Sequence, residues 1–218
     1  MLAAVTNDEH EHADSHSEPE PEAPGWDTIT AAFDALYPGA KPAHVGYSPG
    51  LAFGSGLQGC SAYRAADHWH YVTYGLTELW DKDPDAEPGI SGWGYEFTLR
   101  APLDEADEAP PRWPFVLLEQ VAKTSNQHGT LYDVGHRIDI RQPVTGEPGT
   151  ALTALAITCD PRFPEPIASP NGSFDLLQIV GITAAELARM KATSTADVLG
   201  RLVADGNPLL VTDPRRAR

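Results

Sequence analysis

Asp67-His68-Trp69-His70-Tyr71-Val72-Thr73-Tyr74-Gly75-Leu76-Thr77-Glu78-Leu79-Trp80 decides how the chain is read. Aromatic and β-branched residues run without a break up to Gly75, the composition of a strand that ends at a turn. Alternate side chains of a strand share a face, so His68, His70, Val72 and Tyr74 point one way and Trp69, Tyr71 and Thr73 the other. Two imidazoles on one face invite a metal or catalytic reading. A zinc enzyme needs three protein ligands plus water, with His128, His136 or Glu96 as donors of the third. The competing reading is a hydrogen-bonded core or rim strand.

Downstream, Trp93, Tyr95, Phe97 and Leu99 alternate with Gly94, Glu96, Thr98 and Arg100, which predicts a strand with one face in the core. Trp113-Pro114 opens a helix whose stripe is Phe115, Leu118, Val121 and Ala122 and which fades near Gln127-His128-Gly129. Val134 to Ile140 and Ala151 to Cys159 read as strands joined by a turn-rich link. Phe174 to Gly181 is nearly all apolar, as a central strand covered on both faces is. Thr183 with Glu186 forms a capping box for a helix to about Lys191, and Thr195 opens another to about Ala204. Leu209 to Asp213 closes as a short strand.

Upstream, Ile29, Ala32, Phe33 and Leu36 fall on one helical face that stops at Tyr37-Pro38-Gly39. Short strands and turns are expected around Val45-Gly46-Tyr47 and Leu51-Ala52-Phe53. Residues 1–24 are rich in Glu, Pro, Ser and His and have too little apolar surface to offset the entropy of ordering, which predicts a disordered tail. His10, His12 and His16 within it are incidental to that composition. No repeat or linker splits residues 25–216. The expectation is one α+β domain, a single mixed α/β unit with a central, largely antiparallel twisted sheet flanked by helices.

The 218 residues carry a net charge of −16, and removing the seven acids between Asn7 and Pro24 leaves −9. Nucleic acid is therefore excluded as a direct partner, and a basic protein is favoured. No apolar run of membrane length is present, and Met1 to Val5 lacks the basic start of a signal peptide, so no membrane contact and a cytoplasmic location are expected. Cys60 and Cys159 are too few for a disulfide framework and read as small core residues. Phosphate loops, dinucleotide fingerprints, nucleophile elbows and Cys-x-x-Cys pairs are missing. Trp69, Trp80, Trp93 and Trp113 read as core rather than as a stacking platform. The acidic loops 81–87 and 104–108 read as solvated loops that can steer a basic partner, and Arg215, Arg216 and Arg218 as a charged end.

Several segments together resemble the Suppressor of fused family. They are residues 67–79 as quoted above, Ser91-Gly92-Trp93-Gly94-Tyr95-Glu96-Phe97-Thr98-Leu99-Arg100, Pro110-Pro111-Arg112-Trp113-Pro114, Leu177-Gln178-Ile179-Val180-Gly181 with Glu186-Leu187, and Leu210-Val211-Thr212-Asp213 with Arg215-Arg216. They occur in the family's order between Trp26 and Arg216. Asp67 stands where the animal proteins have Glu, and the tail has no counterpart.

The resemblance implies a non-enzymatic domain without cofactor that binds another protein. In animals the family restrains Gli-type transcription factors with this domain plus a C-terminal one. The chain is expected to stop where the first domain stops, so a Gli-like partner is not carried over. Stand-alone bacterial members include proposed immunity proteins that neutralise secreted toxins, and a basic toxin suits this acidic chain. The residues expected to serve partner binding are His68, His70, Tyr74, Glu96, Asp213 and Arg216. The alternatives are a metal-dependent enzyme using His68 and His70, and a regulatory adaptor.

Overall fold

The computed structural model describes residues 22–47, 56–87, 89–104 and 108–216. The expected tail up to residue 21, the expected strand at Leu51 to Phe53 and Arg218 lie outside the described residues. An eight-stranded mixed sheet forms the middle of an α+β domain. Its strands are β1 (Ala43–Gly46), β2 (Gly59–Arg64), β3 (His68–Tyr74), β4 (Ile90–Pro102), β5 (Arg137–Asp139), β6 (Leu152–Cys159), β7 (Ile167–Ser169) and β8 (Gly172–Thr183). The order is β1-β2-β3-β4-β8-β6-β5, with β7 paired to β8; neighbours run antiparallel except β4 and β8, which are parallel. Among the described residues, four helices cover the sheet: α1 (Pro24–Leu36), α2 (Trp113–His128), α3 (Ala184–Ala192) and α4 (Thr195–Ala204).

Every residue of β3 is buried. On one face Trp69 and Tyr71 join Tyr95, Phe97 and Leu99 of β4 beneath Phe115, Leu118 and Val121 of α2. On the other, Val72 and Tyr74 join Leu176 of β8 beneath Ile29 and Phe33 of α1. Further along that second face, Val180 and Ile182 of β8 with Ala154 and Ala156 of β6 pack against Leu187 and Met190 of α3 and Val198 and Leu199 of α4. Leu176, Gln178 and Val180 stand in line on this face of β8. Gln178 therefore marks a polar seam between two apolar clusters, and the functional question centres on that seam.

Four expectations need correcting. The strand at 93–100 has both faces covered: Glu96, Thr98 and Arg100 are 0% exposed, because α1 lies over the side expected to face water and hydrogen bonds engage the polar groups, with Arg100 Nε left unpaired. Only Arg137–Asp139 of the 134–140 run pairs, since a turn closed by His136 N–H on the Asp133 carbonyl, with Gly135 at φ 90°, precedes it. The Leu209–Asp213 segment is not a strand. Leu210 sits at φ 52°, and one backbone bond, from the Thr212 N–H to the Arg100 carbonyl, is joined by side-chain bonds in which the Gln178 amide donates to the Leu209 and Leu210 carbonyls. The tryptophans divide, Trp69 being 5% and Trp80 40% exposed, with Trp93 and Trp113 half-buried. The capping box at Thr183 and Glu186 forms as expected, and Gly129 ends α2 in the left-handed region.

Candidate functional site

The seam is built by four strands or their ends. Register places His70 of β3 opposite Arg100 of β4, and Thr98 of β4 beside Gln178 of β8. The turn after β6 adds Asp160, and the residue after α1 adds Tyr37. Arg100 and Asp160 form a two-pronged ion pair, Nη2 to Oδ1 at 2.7 Å and Nη1 to Oδ2 at 3.0 Å, with both side chains fully buried. Nη1 also donates to Gln178 Oε1 at 2.6 Å, and Thr98 Oγ1 donates to Asp160 Oδ2 at 2.6 Å.

His70 completes the cluster. Its Nε2 lies 3.0 Å from Asp160 Oδ2, and its Nδ1 lies 2.9 Å from the Tyr37 hydroxyl. A carboxylate only accepts, so Nε2 carries the hydrogen, and Nδ1 accepts from Tyr37; the imidazole is neutral with a fixed tautomer. Phe33 packs on its ring at 4.9 Å between centroids. Burial pulls the His70 pKa down from 6.5 to about 4, against the hydrogen bond to Asp160. Burial alone would raise Asp160, but the His70 hydrogen bond and the Arg100 charge hold it below the usual carboxylate range. The Tyr37 hydroxyl is pushed up to about 12 by burial and stays protonated.

The shift on His70 has a measurable consequence. The unfolded imidazole takes its proton near 6.5 and the folded one near 4, so between these values the unfolded state binds more protons and stability falls as pH falls. Urea titrations are expected to show a loss of about 2 kcal/mol between pH 7 and pH 5 from this group, reduced to the contribution of the other histidines in His70→Gln. An unchanged slope in that variant would contradict the neutral assignment.

Metal chemistry finds little footing in this geometry. Both His70 nitrogens are engaged, and His68 Nδ1 bonds Asp67 Oδ1 at 2.7 Å. His136 Nδ1 accepts from the Asp133 amide, and Glu96 is held elsewhere. Among the described residues no three His, Cys, Asp or Glu side chains come together as a ligand set.

Glu96 forms a second buried cluster at the C-terminal end of β3. Oε1 accepts the backbone N–H groups of Gly75, Leu76 and Thr77 at 2.8–2.9 Å and the Thr77 hydroxyl at 2.8 Å, while Oε2 accepts the Thr73 hydroxyl at 2.6 Å. Burial raises its carboxyl above the ordinary value, opposed by the hydrogen bonds from Thr73, Thr77 and Gly75. The carboxylate closes the turn that the sequence places after Gly75, and Gly75 adopts φ 122° there.

Of the six residues expected to serve binding, the structure places His68, His70, Tyr74 and Glu96 inside, none more than 4% exposed. His68 and His70 share the seam with Tyr37; Tyr74 stacks on Trp26 at 4.4 Å and Glu96 stands apart at the turn. Asp213 and Arg216 are half-buried and line a surface cavity of about 330 Å³. Asp213 holds Arg215, and Arg216 forks onto Glu186 at 2.8 and 2.9 Å. Tyr37, Arg100, Asp160 and Gln178 were not singled out by sequence.

At the surface, β5 ends the sheet, and among the described residues no strand covers its outer side. The segment leading into it carries the two most exposed large apolar side chains among the described residues, Leu131 at 62% and Val134 at 53%. Asp133 and Asp139 are exposed beside them. The Asp175 carboxyl is raised by partial burial and by the nearby Asp133, while Arg137 within β5 and Arg141 just after it, 3.6 Å from Asp139, balance the acids of the edge. Free sheet edges with apolar and charged flanks accept an added strand. Among the described residues no helix is long and apolar enough to cross a membrane.

Comparison with known proteins follows the same lines. A family model described as Suppressor of fused protein (SUFU) matches residues 55–217. The human and mouse proteins named Suppressor of fused homolog are each 29% identical over 157 residues, which is 69% of this chain and 32% of theirs. The chain thus spans about a third of the length of the curated relatives it matches. A structure described as the Sufu-Fu complex superposes with a TM-score of 0.83 at 27% identity, covering 91% of this chain and 93% of that one. Drosophila Suppressor of Fused gives 0.80 at 27%, covering 92% and 53%. A putative SUFU homolog from Neisseria gonorrhoeae gives 0.57 at 13%, covering 84% and 90%, a likeness of fold alone.

Proposed function

Because the chain belongs to the Suppressor of fused family, we propose that it is a non-enzymatic domain that sequesters a protein partner. One observation carries the reading: the only titratable constellation that sequence singled out, around His68 and His70, is buried with its imidazole nitrogens taken up by Tyr37, Asp67 and Asp160, whereas the β5 edge is open and flanked by exposed apolar side chains. A reactive group needs access to substrate. A strand-accepting edge needs free backbone groups and flanking side chains. The similar Sufu protein solved with Fu supports a protein as the partner.

The mechanism is occlusion. An extended segment of the partner adds to β5, its apolar side chains cover Leu131 and Val134, and a basic residue meets Asp133. His68, His70, Tyr74 and Glu96 serve recognition by holding the sheet from within, and Asp213 with Arg216 fixes the chain over its last turn. A second, narrower reading is a cytoplasmic protein of bacterial type that neutralises a secreted toxin, and the net charge of −16 suits a basic one. A regulatory adaptor would use the same edge.

The test is affinity capture from the native cell with the unaltered chain, Leu131→Lys/Val134→Lys, and the surface control Val203→Lys. A captured protein that survives Val203→Lys and is lost with the edge variant supports the reading. Capture that ignores the edge variant removes the edge from it. Rising salt is expected to weaken capture of a basic partner, through slower association.

A further inference from the structure

The charges along β5 are arranged to match themselves. Arg137 and Asp139 are exposed and stand either side of Ile138, so both project to one face of the sheet and Ile138 to the other. Ile138 and Ile140 are half-buried and pack against the cluster under α2. In a chain of net charge −16 this edge is locally neutral, with Arg137 and Arg141 set against Asp133 and Asp139. The Arg137 guanidinium gives one N–H, from Nη1, to the Met190 carbonyl at 2.6 Å and meets no carboxylate among the described residues. Asp139 has Arg141 at 3.6 Å, with the Arg141 side chain 86% exposed, a contact that water and salt readily replace.

The backbone of the strand adds a second match. The Ile157 N–H of β6 donates to the His136 carbonyl, and the register pairs Arg137 with Ala156, Ile138 with Leu155 and Asp139 with Ala154. Inward and outward backbone groups alternate along an antiparallel strand. His136 faces β6, so Ile138 does too, and Arg137 and Asp139 turn their N–H and C=O groups to the open side.

We propose that the occupant of this edge is a second copy of the chain, with the two β5 strands paired antiparallel about a two-fold axis at Ile138. Arg137 then lies opposite Asp139 of the second copy, and Asp139 opposite its Arg137. Each pair exchanges two backbone hydrogen bonds and joins opposite charges, and the two Ile138 side chains meet at the axis on the α2 face. A slip by two residues sets Asp139 against Asp139 or Arg137 against Arg137, so charge fixes the register. A strand of uniform charge, basic or acidic, meets one like charge here whichever way it runs. Three paired residues bury little area, so the contact is weak and reversible. The dimer hides the backbone groups that a captured partner uses and keeps a bare edge from collecting other chains. That regulatory role rests on the reading of β5 as the partner site; the dimer itself does not.

The experiment is sedimentation equilibrium of the full chain from about 10 to about 500 μM, alongside Asp139→Lys, Arg137→Glu and an equal mixture of the two. The unaltered chain is expected to dimerise as concentration rises. Each variant alone opposes two like-charged pairs and is expected to associate at least about tenfold more weakly. The mixture is expected to recover association, because each variant supplies the charges the other lacks. Recovery also shows that both variants are folded, and Asp139→Lys leaves the Arg137 bond to Met190 in place. A chain that stays monomeric throughout, a dimer indifferent to both substitutions, or a mixture without recovery would overturn the proposal. A monomeric chain whose partner capture is still lost with Leu131→Lys/Val134→Lys overturns the dimer and leaves the proposed function standing. A dimer that forms as expected without edge-dependent capture does the reverse.

Discussion

Asp160→Ala lowers the free energy of unfolding by about 3–5 kcal/mol in a urea titration, the cost of stripping one member from a buried ion pair. The substitution leaves the Arg100 guanidinium, 0% exposed, without its carboxylate and removes the acceptor for His70 Nε2 and Thr98 Oγ1. The charge itself, rather than lost packing, makes the effect large. Arg100→Met together with Asp160→Leu is therefore expected to recover much of the loss, since apolar replacement of a whole buried pair is often neutral or stabilising. A loss below about 1 kcal/mol for Asp160→Ala would mean that water reaches the seam in solution.

Glu96→Ala is expected to cost about 3–4 kcal/mol, because three backbone N–H groups and two hydroxyls lose one shared acceptor inside the protein. Rotation of the hydroxyls offsets part of this, but the amides of Gly75, Leu76 and Thr77 have no such freedom. Hydrogen exchange at those three amides is expected to accelerate well beyond that of the β3 core. Glu96→Gln keeps an acceptor for the amides and loses less, about 1–2 kcal/mol. Equal losses for the two variants would show that the space Glu96 fills matters more than its hydrogen bonds.

Much of the fold was legible because its cause is local. The run from His68 to Tyr74, the stripe of Phe115, Leu118 and Val121, and the Thr183–Glu186 box each write burial or capping into adjacent residues. β2 escaped notice because Gly59–Arg64 is buried at almost every position and mostly small, so no period marks it. The Leu209–Asp213 segment looked like a strand because it is apolar, yet Gln178 and Thr212 bind it through side-chain contacts and a left-handed Leu210 breaks the extended path.

The seam was the least legible part. Tyr37, His70, Arg100, Asp160 and Gln178 come from five segments, and only the order β3-β4-β8, with β8 parallel to β4, brings them together. Gln178 between Leu177 and Ile179, and Arg100 between Leu99 and Ala101, did carry a signal. A polar residue standing alone on a strand that is otherwise apolar must find a partner or leave the core. On β4 the alternation made water the simpler reading for Arg100, because sequence does not show that α1 covers that face.

The seam and the edge thus divide the work between holding the fold and meeting a partner. The most direct measurement is the equilibrium affinity of one captured partner for His70→Gln and for Leu131→Lys/Val134→Lys, each first shown to be folded. The expected result is a dissociation constant within about twofold of the unaltered chain for His70→Gln and at least about tenfold weaker for the edge pair. The reverse pattern, in which the buried histidine controls affinity and the edge does not, would contradict recognition at the surface of β5.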